Sequence, residues 1–346
     1  MIRETAHFRT GIARKCSLLG LSLIAVIPLL AQQPTLRSGI DLVVVPATVR
    51  DENGNFIYDL TKEEFQVLED GRPQEIRSFT VDQLPLSIAV LIDTGMDGPS
   101  LRRFVDSLRY LRAAFKDVDE IEAYRFDHIH DKLSDFTGSF TEFEKKLAPV
   151  RSIAERQANR PTPVQVFPGR GPKWLRKVLG LDAADEHHDL NDPLFMAAVD
   201  LEKRDSNHRK VVIIISDGQI ADSLSLLDKG ITIHSYSRTR DRLVQDQIQV
   251  YAVAVGNALL EGPTSILHAY ADATGGDVYG GRTQDRMETA FSGLVEQARH
   301  QYVLGYVSNN EIRGLLPVTR KIEVKVTEYG MAVKHRRRYL QYPRPR

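Results

Sequence analysis

Three stretches of almost unbroken apolar residues most constrain how this chain can fold. They are 86–92 (LSIAVLI), 211–215 (VVIII) and 250–255 (VYAVAV). A strand that is apolar at every position is buried on both faces, as in a parallel sheet that is covered by helices. The segments between them have helical spacing or strand-like composition: helices are predicted over 100–115, 141–148, 193–203 and 285–299, and a strand over 121–126. This alternation predicts a doubly wound, mostly parallel α/β sheet.

The segments on either side of this region have β character instead. Residues 40–49 are rich in β-branched side chains, an alternating hairpin pattern surrounds Asp70-Gly71, and 302–307 and 321–326 alternate again. Each flank is too small to bury a core alone. We therefore expect 32–84 and 301–346 to pair into one small β-sandwich-like domain, with an α/β domain over 85–300 inserted between them.

The first 31 residues predict a signal peptide. Four basic residues precede an apolar run over 18–30, and Ala31 follows it. That run is too short to span a bilayer comfortably, so we expect cleavage and no permanent membrane span, with a retained anchor as the alternative. The predicted location is exported: periplasm, cell envelope or extracellular.

Composition excludes several classes of function. The chain has 46 basic and 46 acidic residues, so no global positive charge indicates nucleic-acid binding. A single cysteine, Cys16, excludes a disulfide within the chain and a cysteine-based zinc cluster.

Acidic residues follow two of the apolar strands and precede one helix. Asp93 and Asp97 follow the first strand, Asp217 follows the second, and the turn Asp189-Leu190-Asn191-Asp192 precedes the helix at 193–203. Because ligands bind at the carboxyl ends of parallel strands, these oxygens predict a site for Mg²⁺ or Ca²⁺. The alternative is that the same residues cap the helices that follow them.

Several of these segments resemble a von Willebrand factor type A domain. They are the strand ending in Asp93-Thr94-Gly95, VVIIISDG at 211–218, YAVAVG at 251–256 and HAYADATGGDVYGG at 268–281. The flanks at 43–79 and 298–308 resemble an exported, acidobacterial-type group of type A-related proteins, and the resemblance is colinear over 40–340. It implies a metal-ion-dependent adhesion site, in which Mg²⁺ bridges a non-enzymatic module to an acidic group of a protein partner.

The metal site that the resemblance implies departs from the family's sequence motif. The family's first loop reads Asp-x-Ser-x-Ser, where this chain has Asp93, Gly95 and Asp97, and the family's threonine corresponds to Asp192 or to Asn191. We therefore predict a degenerate site of Asp93, Asp97, Asp192 and Asp217, with Asn191 and the Gly95 backbone as further candidates. The extra carboxylates favour Ca²⁺ over Mg²⁺ and weaken the attraction for an acidic partner.

Residues 150–192 form a long insertion with several prolines and basic residues. Loops of this length are usually functional or disordered. Trp174, with Arg170 and Lys173 nearby, is suited to anchor a partner, and the alternative is a solvated insertion.

The predicted function is protein binding or adhesion, without catalysis. The chain has no Gly-x-Ser-x-Gly elbow, no phosphate-binding glycine loop and no metalloprotease histidine pair. The alternative is a metal-dependent phosphotransferase or hydrolase with Asp93 as its nucleophile.

Overall fold

The computed structural model describes residues 42–127, 129–158, 189–218, 220, 233–255, 265–312 and 316–343 of the chain. Within these ranges the strands are β1 (Leu42–Arg50), β2 (Phe56–Ile57), β3 (Phe65–Glu69), β4 (Arg72–Gln74), β5 (Ile76–Gln83), β6 (Leu86–Asp93), β7 (Glu120–Phe126), β8 (His130–Thr137), β9 (Arg209–Ser216), β10 (Gln249–Ala254), β11 (Val278–Gly280), β12 (His300–Val307), β13 (Val318–Val326), β14 (Ala332–His335) and β15 (Arg338–Gln341). The helices are α1 (Gly98–Ala114), α2 (Phe140–Lys146), α3 (Ala148–Ala158), α4 (Asn191–Glu202), α5 (Tyr236–Gln245), α6 (Ile266–Thr274) and α7 (Gln284–Arg299), and a 3-10 turn covers Lys62–Glu64.

A six-stranded sheet forms the centre of the α/β part, in the order β11-β10-β9-β6-β7-β8. Neighbouring strands from β11 to β7 are parallel, and β8 pairs with β7 in the antiparallel direction. The protein is therefore of mixed α/β class, with a mostly parallel central sheet.

Helices cover both faces of this sheet. Apolar side chains of α1, α2, α3 and α7 pack on one face, and those of α4, α5 and α6 pack on the other. Along β6, Ile88, Val90 and Ile92 face the first layer, whereas Ala89 and Leu91 face the second. Because both faces are covered, this strand has apolar residues at consecutive positions.

Two further sheets pack against each other and share one apolar core. One has the order β14-β1-β12-β5, with β2 on β1, and the other has the order β15-β13-β3-β4. Both sheets combine strands from before and after the α/β part. For example, Val45 of β1 pairs with Leu304 of β12, and Val67 of β3 pairs with Val324 of β13.

One expected element is divided in two. In place of a single short helix over 141–148, α2 ends at Lys146 and α3 begins at Ala148. Pro149 is the second residue of α3, where its missing N–H costs no helical hydrogen bond. A proline there starts a new helix more readily than it continues an old one.

The predicted signal peptide (1–31) and residues 159–188 of the predicted insertion lie outside the described residues. The predicted bounds of the insertion, 150–192, were too wide, because residues 150–158 belong to α3 and residues 191–192 belong to α4. In the described ranges, no helix combines the length and apolar character needed to cross a membrane.

Candidate functional site

The carboxyl ends of the parallel strands bring several acidic residues to one edge of the central sheet. Asp93 is the last residue of β6, Asp127 directly follows β7, and Asp217 directly follows β9. Asp93 is 0% exposed and Asp217 is 2% exposed. Buried carboxylates are costly unless they are hydrogen-bonded or paired with a cation, so this edge is the candidate functional site.

The loop after β6 and the last residue of β9 hold the Asp93 carboxylate in place. The backbone N–H of Gly95 donates to its Oδ1 at 3.0 Å, and the Ser216 hydroxyl donates to its Oδ2 at 2.7 Å. Ser216 in turn accepts from the backbone N–H of Gly218 at 3.0 Å. These bonds and the complete burial of Asp93 favour a structural or metal-supporting role over nucleophilic attack on a substrate.

Asp97 lies at the start of α1, where it caps the helix. Its Oδ1 accepts from the Ser100 backbone N–H at 2.8 Å, and its Oδ2 accepts from the Ser100 hydroxyl at 2.9 Å. The residue is exposed, unlike Asp93 and Asp217. These contacts correspond to the capping alternative that the sequence left open.

Asp192 lies in the first turn of α4 and is 3% exposed. It accepts backbone N–H groups of Ile233 at 3.0 Å and His234 at 2.8 Å, and its Oδ1 is 2.7 Å from Nδ1 of His234. The His234 ring is stacked on Phe195, with the ring centroids 3.8 Å apart. The loop before α5 is thereby tied to the N-terminal end of α4.

The neighbouring Asn191 also has specific partners. Its Oδ1 accepts from the Tyr270 hydroxyl of α6 at 2.5 Å, and its backbone carbonyl accepts from Thr239 of α5 at 3.4 Å. Asn191 therefore connects three helices on one face of the sheet.

Within the described ranges, one group of three side chains has the arrangement of a metal site. His130, Asp189 and Asp192 each place a nitrogen or carboxylate oxygen within 4.8 Å of the others. Asp189 and Asp192 are buried, and His130 is half-buried. Two carboxylates and an imidazole can hold a divalent cation, and the imidazole suits Zn²⁺ or another transition ion better than Mg²⁺ or Ca²⁺.

The surrounding loops fix this trio. The backbone N–H of Asp189 donates to the carbonyl of Asp127 at 3.0 Å, and Oδ1 of Asp189 accepts from the backbone N–H of Asn191 at 3.0 Å. Asp127 accepts from the Thr94 hydroxyl at 2.9 Å, which connects the trio to the loop after β6.

Of the residues proposed from the sequence, Asp192 belongs to this trio, whereas Asp93, Asp97 and Asp217 do not. His130 and Asp189 were not among the metal ligands predicted from the sequence. Asp189 belongs to the acidic turn that was noted before α4, but nothing in the spacing of a single sequence indicates that His130 lies beside it. Trp174, Arg170 and Lys173 lie outside the described residues.

A second cluster of titratable groups lies between β7, β8 and α4. Lys132 Nζ is 3.0 Å from Glu122 and 2.7 Å from Asp200, and the Tyr124 hydroxyl donates to Asp200 at 2.7 Å. Burial raises the pKa of Glu122 to about 8. Burial alone would also raise the pKa of Asp200, but hydrogen bonds from Lys132, Lys203 and Tyr124 hold it well below its usual range.

No family model and no curated protein matches this sequence. Solved structures with similar folds include BatB from Bacteroides thetaiotaomicron, at 11% identity over 62% of this chain and 98% of that chain, with a TM-score of 0.40. A von Willebrand factor type A protein from Catenulispora acidiphila has 10% identity over 77% and 73% of the two chains, with a TM-score of 0.42.

A third similar structure is proximal thread matrix protein 1 from the mussel byssus with a zinc-occupied MIDAS motif, at 12% identity. It covers 63% of this chain and 49% of that chain, with a TM-score of 0.38. All three TM-scores are below 0.5, and the class of the fold rests on the strand order and helix layers of this chain.

Proposed function

We propose that this chain is an exported, non-enzymatic protein-binding module of type A architecture, with a divalent cation at the carboxyl edge of its central sheet. The observation that carries the proposal is the trio of His130, Asp189 and Asp192, whose ligand atoms lie within 4.8 Å of one another. The doubly wound sheet and the buried Asp93 and Asp217 at the same edge support it.

The proposed ligand set changes the charge expected at the site. A set of Asp93, Asp97, Asp192 and Asp217 would place four carboxylates around a dication and repel an acidic partner. Asp189 and Asp192 carry two negative charges and His130 is neutral when it binds a metal, so the trio and a dication are together neutral. A neutral centre can still accept a partner's carboxylate as a further ligand, which fits binding of an acidic group on another protein.

Metal titration tests the site directly. Calorimetry of the purified protein with Zn²⁺, Mn²⁺, Mg²⁺ and Ca²⁺ should give the strongest binding for Zn²⁺, because His130 supplies a nitrogen ligand. His130→Ala should weaken Zn²⁺ binding by about tenfold or more, since it removes one of the ligands. Asp97→Asn is the matched control and should leave the affinity unchanged, because Asp97 is exposed and caps α1.

Failure of the ligand assignment and failure of the whole proposal give different results. Tighter binding of Ca²⁺ than Zn²⁺, with loss in Asp97→Asn, would favour the carboxylate set. Absence of heat with all four ions at millimolar concentration would rule out a cation site.

The partner-binding proposal is tested by affinity capture from the native cell envelope. We expect a protein that the wild type retains in the presence of the bound ion and that both EDTA and Asp192→Asn release. Capture that neither treatment changes would contradict a role for the cation in binding.

A further inference from the structure

A cavity of about 310 Å³ lies between the α/β part and the β-sandwich. We call it the seam cavity. Its walls come from α5 and α6 on one side and from β13 and the residues around β15 on the other. The volume is at the lower end of the range of small-molecule pockets, roughly 300–1,000 Å³.

Contacts with β13 and with the end of α6 fix the backbone segment that carries the basic side chains of the seam cavity. The carbonyl of Arg337 accepts from the backbone N–H of Ile322 at 2.8 Å, and Arg338 pairs with Lys321 in the sheet. The end of α6 packs directly on this segment, since a Cβ built on Gly275 would lie 2.6 Å from the Arg336 nitrogen. The site is therefore held by the fold and is not a loose C-terminal tail.

The charges around the seam cavity are not balanced. Arg240 pairs with Asp241 at 2.6 Å, and Asp272 pairs with Lys334 at 3.0 Å. Arg337 and Arg338 also line the cavity, and in the part of the chain that the structure describes neither forms an ion pair with a carboxylate. Two guanidinium groups are thus available to a ligand.

Tyr236 of α5 supplies aromatic surface to the cavity, and Val244 and Leu340 supply aliphatic surface. The Tyr236 hydroxyl is already used, because it donates to the Ala269 carbonyl at 3.2 Å, so its ring is what this residue offers to a ligand. Tyr339 also borders the cavity, but it is only 8% exposed, packs in the sandwich core and donates to Glu69 at 2.7 Å. Burial raises the pKa of Tyr236, and the charges of Arg240 and Arg338 oppose that rise, which indicates that both cations act on this side of the cavity.

We propose that the seam cavity binds a phosphate monoester, with the phosphoryl oxygens on Arg337 and Arg338 and a compact organic group against Tyr236 and Leu340. Two unpaired guanidinium groups match the nearly double negative charge of a monoester better than the single charge of a carboxylate. The planar donor fork of arginine is suited to phosphate oxygens.

The test uses phenyl phosphate as the probe and isothermal titration of the full chain in EDTA, so that no cation elsewhere can bridge the ligand. We expect saturable binding, which Arg337→Gln and Arg338→Gln each weaken by about tenfold, as expected for the loss of a charge-assisted hydrogen bond. Arg77→Gln is the matched control, because Arg77 is an exposed arginine of the sandwich on β5, paired with Glu75.

Near-ultraviolet circular dichroism should be the same for the wild type and for the Arg337→Gln and Arg338→Gln variants, because only these side chains change and their backbone contacts remain. Absence of binding at ten millimolar phenyl phosphate, or equal binding by wild type and by the Arg337→Gln, Arg338→Gln double variant, would overturn the proposal. Equal affinity for benzyl alcohol would also overturn it, since the phosphoryl group would then contribute nothing.

Discussion

Gly276 lies where the chain passes against the backbone of β10. A Cβ built on this residue would be 1.9 Å from the carbonyl oxygen of Val250. Because the obstacle is backbone in the centre of a sheet, it cannot move aside as a flexible side chain can. We expect Gly276→Ala to lower the free energy of unfolding by roughly 1–3 kcal/mol, the usual range for overpacking.

Urea unfolding checks this expectation, and the chain offers a matched control. A Cβ on Gly138 would meet nothing closer than 3.7 Å, so Gly138→Ala should change the free energy of unfolding little. Equal effects of the two substitutions would show that close contact is not what requires glycine at 276.

Glu122 of β7 is a buried carboxyl group of the central sheet. Its side chain is 0% exposed, and burial raises its pKa from 4.5 to about 8. A carboxyl whose pKa is higher in the folded state stabilises the fold at low pH, and this stabilisation is lost as the pH rises from about 4.5 through about 8. At about 1.4 kcal/mol per pKa unit, the upper limit of this loss is about 5 kcal/mol.

Glu122→Gln should remove this pH dependence. The free energy of unfolding of the variant, minus that of the wild type, should increase between pH 5 and about pH 8 and level off by pH 9. Denaturant titrations across this range measure the difference directly, and other titrating groups largely cancel in it. A difference that does not change with pH would mean that Lys132, 3.0 Å away, keeps Glu122 ionised throughout.

At the scale of elements, a buried ion pair joins the end of α7 to the loop before β7. Arg299 donates to Asp119 through both terminal nitrogens, at 3.0 and 2.6 Å, and the two side chains are 4% and 0% exposed. Asp119 also accepts the backbone N–H groups of Leu86 and Lys116, at 2.9 and 2.8 Å. The Asp119 carboxylate therefore fixes the start of β6, the loop that follows α1 and the last turn of α7.

Asp119→Asn should lower the free energy of unfolding by about 3–5 kcal/mol, because it leaves the Arg299 charge buried without its counter-charge. The exposed pair of Arg77 and Glu75, 3.4 Å apart, is the comparison. Glu75→Gln should cost less than about 1 kcal/mol, as exposed ion pairs do. Thermal or denaturant unfolding of both variants measures the contrast, and similar losses would contradict it.

The elements that could be predicted from the sequence are those whose pattern reflects burial. The apolar runs at 86–92, 211–215 and 250–255 correspond to β6, β9 and β10, because strands covered on both faces admit few polar residues. Strand β8 was not predicted: it lies at the sheet edge, and its pattern includes exposed Asp131, Lys132 and Asp135.

Helix α6 was not predicted either. In the sequence, residues 268–281 were noted only for their resemblance to a type A domain, and they contain most of α6 (Ile266–Thr274) and β11 (Val278–Gly280). The candidate site was also predicted only in part. His130 and Asp189 come together through the positions of two loops, and loop positions leave no periodic signal in the sequence.

At the scale of the whole molecule, the two ends of the chain depend on each other. Strand β1 lies between β12 and β14, and β3 lies between β13 and β4. The strands before the α/β part therefore have few partners until the last residues are present. Contacts over such sequence distances are slow to form, because the loop-closure entropy is lost before the contacts stabilise anything.

Glu69 of β3 is the residue in which this dependence can be tested. Its buried carboxylate accepts from Tyr306 at 2.8 Å, from Ser308 at 2.6 Å, from Asn310 at 2.7 Å and from Tyr339 at 2.7 Å. All four donors lie beyond the α/β part, on or next to β12 and β15. Glu69→Gln replaces part of the acceptor with a donor and removes the charge, so we expect a loss of about 2–4 kcal/mol in the free energy of unfolding.

Hydrogen exchange followed by mass spectrometry shows which strands lose amide protection in this variant. Because both ends share one core, the amides of β1 and β13 should lose protection together in Glu69→Gln, while those of β9 in the central sheet change less. Glu323→Gln, on an exposed position of β13 beside Lys325, should leave all three unchanged. If β13 lost protection and β1 kept it, the N-terminal strands would be stable without their C-terminal partners, and the two ends would not form one cooperative unit.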